Sequence, residues 1–280
     1  MSLRLAMRPT EQPLDDLPST LLIPLAARAF GDAMFPAKAI HDAYAALALR
    51  SLGADVSHFL DDQASVYGVL SRTTIICDLA REFFSRFPQA LGANLGCGLA
   101  HYFQWLDRHS NRWLDADLPQ VMALRKRLLP AGGERLRHAE VDLSRPGWWD
   151  RLALPRQGDE VPMLLICEGV LMYLEPAQVQ CVLREFGENA PAGSELLFDT
   201  LCWLAVGCAA LHPSVRHTNA QFRWGPRCLD DLTAPHPRLV LLSEHAVMDG
   251  FGFPLSLIDA NFRALYGVPL YGVTRLGVTS

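Results

Sequence analysis

The run Ala90-Leu91-Gly92-Ala93-Asn94-Leu95-Gly96-Cys97-Gly98-Leu99 decides how this 280-residue chain is read. A short apolar stretch, Ala90 to Leu95, breaks at a pair of glycines and gives way to a helical texture from Ala100 to Arg108. A strand that turns into a helix through glycines lets a ligand approach the backbone closely, although a plain tight turn has the same look. The pyrophosphate-binding form of this turn needs a third glycine at position 101, which is His101. The turn therefore suits a ligand without phosphate better than a dinucleotide.

The same texture repeats outward. Further strands are expected at Arg112 to Ala116, Arg137 to Val141, Met163 to Cys167, Glu195 to Phe198, Leu239 to His245 and Val273 to Val278. Helices are expected between them at Pro119 to Leu129, Pro176 to Asn189 and Leu255 to Tyr266. Alternating strands and helices predict an α/β fold with a mostly parallel sheet covered on both faces. The pairing of the last two strands is left open by the pattern. Pro146 to Pro162 reads as a long connection and Thr200 to Pro237 as an insertion. Residues 1 to 88 read as helical, with apolar positions at three-and-four spacing and Pro88 as the stop.

Composition narrows the function classes. Half of the residues are hydrophobic and 20% are charged, so the chain is not a disordered one. A formal net charge of −5 provides no basic field for nucleic acid. No apolar run reaches about 18 residues, so no membrane span is expected. Glu11, Asp15 and Asp16 precede any apolar run, which speaks against a signal peptide. Seven cysteines without a Cys-x-x-Cys pair, and nine scattered histidines, predict reduced thiols in a cytoplasmic setting and no metal site.

Four successive strand ends carry the chemistry. The first holds Gly96 and Gly98. The second ends in Asp115-Ala116-Asp117-Leu118-Pro119, and Asp117 lies 19 residues past Gly98, where an acid holds a ribose diol. The competing reading makes Asp117 the N-cap of the next helix, and Asp115 a cap or a solvated acid. The third ends in Asp142-Leu143: the carboxylate suits an exocyclic amine and the leucine a ring face, or Asp142 merely starts a turn. The fourth ends in Glu168, directly after Leu164-Leu165-Ile166-Cys167. Together these describe a pocket for a nucleoside-bearing ligand without phosphates, and S-adenosylmethionine fits that description. Tyr173 and the insertion's Arg216 and Arg223 are acceptor-side candidates, the arginines as clamps for a carboxylate; the alternatives are a core tyrosine and solvated charges. His212, His217 and Trp224 lie in the same insertion. Arg125-Lys126-Arg127 reads as a solvated helix face.

The chain resembles the leucine carboxyl methyltransferases. The resemblance rests on Gly96-Cys97-Gly98-Leu99, on Trp113-Leu114-Asp115-Ala116-Asp117-Leu118-Pro119-Gln120-Val121 with Leu124-Arg125, and on Glu168-Gly169-Val170-Leu171-Met172-Tyr173-Leu174. With Ser19-Thr20-Leu21-Leu22-Ile23-Pro24-Leu25-Ala26-Ala27-Arg28-Ala29 it looks like the tetracenomycin-type O-methyltransferase branch of polyketide biosynthesis. It covers about residues 19 to 200. The resemblance implies a class I methyltransferase fold, Rossmann-like, with seven strands and a helical cap over residues 1–88 of an 89–280 core. It implies S-adenosylmethionine as cofactor and a small-molecule acceptor with a carboxylate or phenolic oxygen. It places Arg28 and Arg72 near the methionine carboxylate, Gly98 in the loop, Asp117 on the ribose, Asp142 and Leu143 at the adenine, and Glu168 near the methionine amino group. The chain departs from the branch at Ala100-His101-Tyr102, where Asp-Thr-Arg is usual, and at His41-Asp42-Ala43, where Asp-Pro is usual. The other readings are a nicotinamide-dependent oxidoreductase, which His101 disfavours, and a non-catalytic binder of the same cofactor.

Overall fold

The computed structural model describes residues 19–280. Residues 1–18, with the Glu11, Asp15 and Asp16 on which the leader expectation rests, lie outside the described residues.

Seven strands form one sheet: β1 (Leu91–Leu95), β2 (Arg112–Asp117), β3 (Leu136–Glu140), β4 (Leu164–Cys167), β5 (Glu195–Leu201), β6 (Leu239–Ala246) and β7 (Tyr271–Val278). Their order is β3-β2-β1-β4-β5-β7-β6. The first five pair in parallel, and β7 enters antiparallel between β5 and β6. That insertion settles the pairing that the sequence pattern left open. The order reverses between β1 and β4, so the carboxyl ends of these two strands flank the crevice where open α/β sheets bind ligands.

Strand alternation sorts the side chains onto two buried faces. Ala93, Leu95, Leu114, Ala116, Leu165, Cys167, Leu196 and Phe198 pack on one side with Trp148, Trp149, Val179 and Phe186. Trp113, Leu164, Ile166, Leu197 and Val273 pack on the other with Ile76, Phe83 and Phe84. The three aromatic rings Trp113, Trp148 and Trp149 are essentially inaccessible, and truncating one such ring costs about 3–5 kcal/mol.

Helices start and stop on local signals. Pro119 begins α6 (Pro119–Leu128) and Pro176 begins α8 (Pro176–Asn189), each at a position whose N–H would lack an intrahelical partner. Glu175 and Gln178 form a capping box at α8. Short helices α5 (Phe103–Leu106), α7 (Trp148–Arg151) and α9 (Asp230–Thr233) fill connections, and α10 (Leu255–Tyr266) precedes β7. The expected helix from Ala100 to Arg108 shrinks to α5, because the chain up to Ala100 is held as a turn.

Before β1 come α1 (Leu22–Met34), α2 (Ala45–Leu52), α3 (Ser57–Leu60) and α4 (Gln63–Arg86). Leu25, Ala26, Ala45, Ala48 and Phe59 from the first three pack against Leu99 and Leu124, next to the glycine turn. The second half of α4 lies on the sheet through Ile76, Phe83 and Phe84. Asp62 caps α4 by accepting a hydrogen bond from the Ser65 N–H at 3.2 Å. No described helix is long and apolar enough to cross a membrane. Among the described residues no three His, Cys, Asp or Glu side chains gather for a metal.

Candidate functional site

Two adjoining cavities open at the strand ends, and Thr20, Leu21, Gly96, Gly169 and Tyr173 line both. The turn after β1 shapes them. Gly96 and Gly98 have φ of +63° and +49°, a region that favours glycine. A Cβ on Gly96 would stand 2.4 Å from Val170 Cγ2, and one on Gly98 2.9 Å from Leu21 Cδ2. The glycines thus serve backbone direction and close approach together.

The smaller cavity, about 370 Å³, is lined by Asp117, Val121, Asp142, Leu143 and Ser144. Asp117 does not cap α6, whose N-cap is Leu118. Its Oδ2 accepts from the Gly98 N–H and its Oδ1 from the Leu118 N–H, both at 2.7 Å. Burial raises its pKa against the pull of these two bonds. Each oxygen keeps a lone pair, so two hydroxyl donors fit there. Asp142 is the turn former that the bland reading expected: its Oδ1 accepts from the Ser144 N–H at 2.9 Å and the Ser144 hydroxyl at 2.5 Å. It nevertheless lines the cavity beside the buried Leu143. The hydrogen bond from the Ser144 hydroxyl holds the Asp142 carboxyl below its usual value.

The larger cavity, about 390 Å³, is lined by Arg28, Arg72, Asn94, Gly98 and Glu168 among others. The side chain of Glu168 is buried, and it accepts from Arg28 Nη2 on both oxygens at 2.7 Å, from Arg72 Nε at 2.7 Å and from the Tyr102 hydroxyl at 2.5 Å. Four hydrogen bonds fill the acceptor sites of a carboxylate. Burial alone would raise its pKa, yet the two guanidiniums hold it below the usual value. Arg72 also donates through Nη1 to Asp199 Oδ2 at 2.9 Å and to the Tyr271 hydroxyl at 2.7 Å. The Gly169 N–H donates to Asp199 Oδ1 at 2.5 Å, tying β5 to the turn after β4. Two buried donors in this lining, Arg28 Nε and Asn94 Nδ2, have no partner. An unpaired buried donor is costly, so this lining has two donors left for the oxygens of a bound ligand.

An apolar part of the same lining is formed by Ile23, Met172, Val215, Phe222 and Leu201, which cluster with Tyr173. Tyr173 stacks on Phe222, with centroids 5.7 Å apart and planes at 24°. Burial pushes the Tyr173 hydroxyl up to about 12. Asp62 and His212 add polar edges. Asp62 Oδ2 accepts from the Ser65 and Ser214 hydroxyls at 2.5 and 2.7 Å, which ties α4 to the insertion.

For Arg223 and Arg216 the structure shows the solvated-charge alternative, and for Arg125 and Asp115 it corrects the expectation. Arg223 is no buried clamp: it is half exposed, pairs with Glu175 and lines the smaller cavity, while its backbone N–H donates to Met172 O at 2.8 Å. Arg216 is exposed as well, and its Nε donates to His217 Nε2 at 3.2 Å. Arg125 is not on a solvated face, although Lys126 and Arg127 are exposed. Its Nη1 donates to Gly98 O at 3.1 Å and Ala100 O at 2.7 Å, and its Nη2 to Asp115 Oδ2 at 2.5 Å. Asp115, expected to cap or be solvated, is inaccessible and also accepts from Trp113 Nε1 at 2.9 Å. A single buried arginine thus holds the carbonyls of the turn.

Arg28, Arg72, Gly96, Gly98, Glu168 and Tyr173 converge on the larger cavity, and Asp117, Asp142 and Leu143 on the smaller. Asn94, Tyr102, Asp199 and Tyr271 were not singled out from the sequence. Asp199 offered the signal used for Glu168, an acid at the end of an apolar strand; the two tyrosines offered none.

Comparison with known proteins bears on this geometry. A family model described as leucine carboxyl methyltransferase matches residues 22–187. The tetracenomycin polyketide synthesis O-methyltransferase TcmP of Streptomyces glaucescens is 32% identical over 216 residues, 75% of this chain and 77% of that protein. Among solved structures, an O-methyltransferase family protein from Burkholderia thailandensis superposes with a TM-score of 0.50 at 15% identity, over 92% of this chain and 72% of that one. This last likeness concerns the fold alone.

Proposed function

The chain belongs to the leucine carboxyl methyltransferase family, and from that premise we propose that it methylates an oxygen of a small, ring-bearing acceptor, a carboxylate in preference to a phenol. It is an S-adenosylmethionine-dependent methyltransferase with the class I sheet order. The residues present fit that cofactor. Arg28 Nε and Asn94 Nδ2 take the methionine carboxylate, Asp117 the two ribose hydroxyls, and Leu143 with Asp142 the adenine. Glu168 already carries four hydrogen bonds, so its part is to fix Arg28 and Arg72 rather than to receive the amino group alone.

Bound S-adenosylmethionine would supply a methyl group on a sulfonium, for transfer to the acceptor oxygen with the C–S electron pair left on sulfur. The protein has to align the acceptor oxygen with the methyl and keep water out. The apolar part of the larger cavity's lining does both. Of the cap expected over residues 1–88, the described part from residue 19 onward closes the cavity through α1 and the start of α4, over a core of residues 89–280, with 200–237 as the acceptor-side insertion.

The carboxylate preference is carried by one observation: each acid in this lining is already taken up. Glu168 is filled by cations and Tyr102, and Asp62 by Ser65 and Ser214. A phenol, with a pKa near 10, needs a base, whereas a carboxylic acid is already ionised at pH 7. The relative named for polyketide synthesis supports a polyketide-like acceptor. Free thiols at all seven cysteines support a cytoplasmic setting.

The test uses methyl-labelled S-adenosylmethionine with paired aromatic carboxylic acids and phenols. A methyl ester returns labelled methanol in alkali, and an aryl ether does not. Label released by alkali is expected. Label retained, with phenols as the better acceptors, overturns the carboxylate reading. Calorimetry should show binding of S-adenosylhomocysteine and none of NAD.

A further inference from the structure

The insertion carries into the larger cavity an imidazole that neither the cofactor contacts nor the carboxylate preference calls on. His212 lines the cavity beside Pro213, Val215 and Phe222. The ring stands edge-on to Phe222, with centroids 5.7 Å apart at 72°. The Val215 N–H donates to His212 Nδ1 at 3.3 Å. A neutral imidazole whose Nδ1 accepts a hydrogen bond carries its proton on Nε2.

The ring is neutral near pH 7, because burial holds its pKa below the ordinary value against the weaker opposing pull of Asp62. It is therefore a donor and not a base at Nε2. The charged groups lining the cavity with it are already engaged. Asp62, from the start of α4, is bonded to Ser65 and Ser214. Arg28 and Arg72 are held by Glu168 and Asp199. A neutral N–H donor in an apolar wall suits an acidic oxygen that arrives without its own proton.

We propose that His212 Nε2–H is the hydrogen-bond donor that seats the carboxylate of the acceptor, whose rings lie along the stacked pair Tyr173 and Phe222. The inference rests on the carboxylate preference proposed for the acceptor and adds a specificity residue to it. It also gives the insertion a chemical role, since the turn that ends in Val215 fixes which nitrogen of His212 is protonated.

The experiment compares wild type, His212→Gln and His212→Phe with anthraquinone-2-carboxylate as probe. Gln keeps an N–H near the place of Nε2, and Phe keeps only the ring. S-adenosylhomocysteine affinity and melting temperature serve as controls for folding and for the cofactor site. His212→Phe should raise the KM for the probe about 10-fold to 100-fold, with S-adenosylhomocysteine affinity unchanged. His212→Gln should restore most of the loss. Equal KM values in wild type and His212→Phe overturn the proposal. It is also overturned if both variants lose kcat alike while the wild-type rate falls about tenfold per pH unit in acid, since that is the signature of a base. Wild type that binds S-adenosylhomocysteine but neither binds nor methylates the probe, and methylates 2-hydroxyanthraquinone instead, removes the carboxylate reading and this inference with it.

Discussion

Arg125 Nη2 lies 2.5 Å from Asp115 Oδ2, and both side chains are buried under the turn whose carbonyls, Gly98 O and Ala100 O, Arg125 Nη1 also holds. The cation comes from α6 and the anion from β2, so the pair connects two elements to the loop that shapes the site. Removing one member of a buried pair leaves the other charge uncompensated, which costs about 3–5 kcal/mol. Arg125→Met should lose about that much in urea unfolding and should weaken S-adenosylhomocysteine binding in the folded fraction. Adding Asp115→Asn, whose amide oxygen still accepts from Trp113 Nε1, should recover part of the stability. A single variant that costs less than about 1 kcal/mol, within the range of an exposed pair, would show that the network is incidental.

Asp117 ties the Gly98 and Leu118 amides and lines the smaller cavity. Hydrogen bonds to a charged group contribute about 1.5–3 kcal/mol, so Asp117→Asn should weaken S-adenosylhomocysteine binding about 10-fold to 100-fold. The pH dependence has a definite sign. Burial raises the pKa of this acid in the folded protein, and hydroxyl donors favour the ionised form. Affinity should therefore fall as pH drops through the raised pKa, beginning above the ordinary aspartate value of about 3.9. Calorimetry against pH checks this; an affinity as pH-dependent in Asp117→Asn as in wild type would assign the effect elsewhere.

The fold and the pocket were legible in the sequence to different depths. The strand ends were readable because each follows a short apolar run, and helix starts because Pro119 and Pro176 mark them. The place of β7 was not, since pairing between β5 and β6 depends on contacts far apart in the chain. Charge burial was the weakest point. Arg125 looks like its exposed neighbours Lys126 and Arg127, and only the turn from Gly98 to Ala100, packed against α6, makes it a core residue. Tyr102 and Tyr271 show their roles only when Glu168 and Asp199 are brought beside them.

Arg223 is the opposite case: of the two readings the sequence left open, a clamp or a solvated charge, the structure shows the second. Its guanidinium is half exposed and pairs with Glu175, which is equally exposed. Such pairs contribute about 0–1 kcal/mol. Arg223→Ala should leave unfolding free energy and acceptor KM within that range. Its backbone N–H, which binds Met172 O, survives the substitution. A loss of kcat/KM equivalent to about 2–4 kcal/mol, the scale of a buried charge-assisted clamp, would require the side chain to turn into the cavity when acceptor binds.

His101 stands where a dinucleotide turn has its third glycine, and its burial predicts how stability responds to acid. Its Nδ1 lies 3.3 Å from Arg125 Nη2, and its ring meets Tyr44 edge-on with centroids 5.0 Å apart. Burial first, and the Arg125 charge second, lower its pKa from 6.5 to about 4. The folded state thus keeps the ring neutral where the unfolded chain takes up a proton. The contribution is fully present above the unfolded value of 6.5 and is lost as pH falls toward 4. At about 1.36 kcal/mol per pKa unit, the loss approaches about 3 kcal/mol at most. His138, whose pKa burial also lowers, acts in the same direction and remains in the variant. Urea unfolding of wild type and His101→Phe should therefore give a stability difference that shifts against wild type between about pH 7 and pH 4.5. A difference that stays constant across that range would mean that His101 is protonated alike in the folded and unfolded chain.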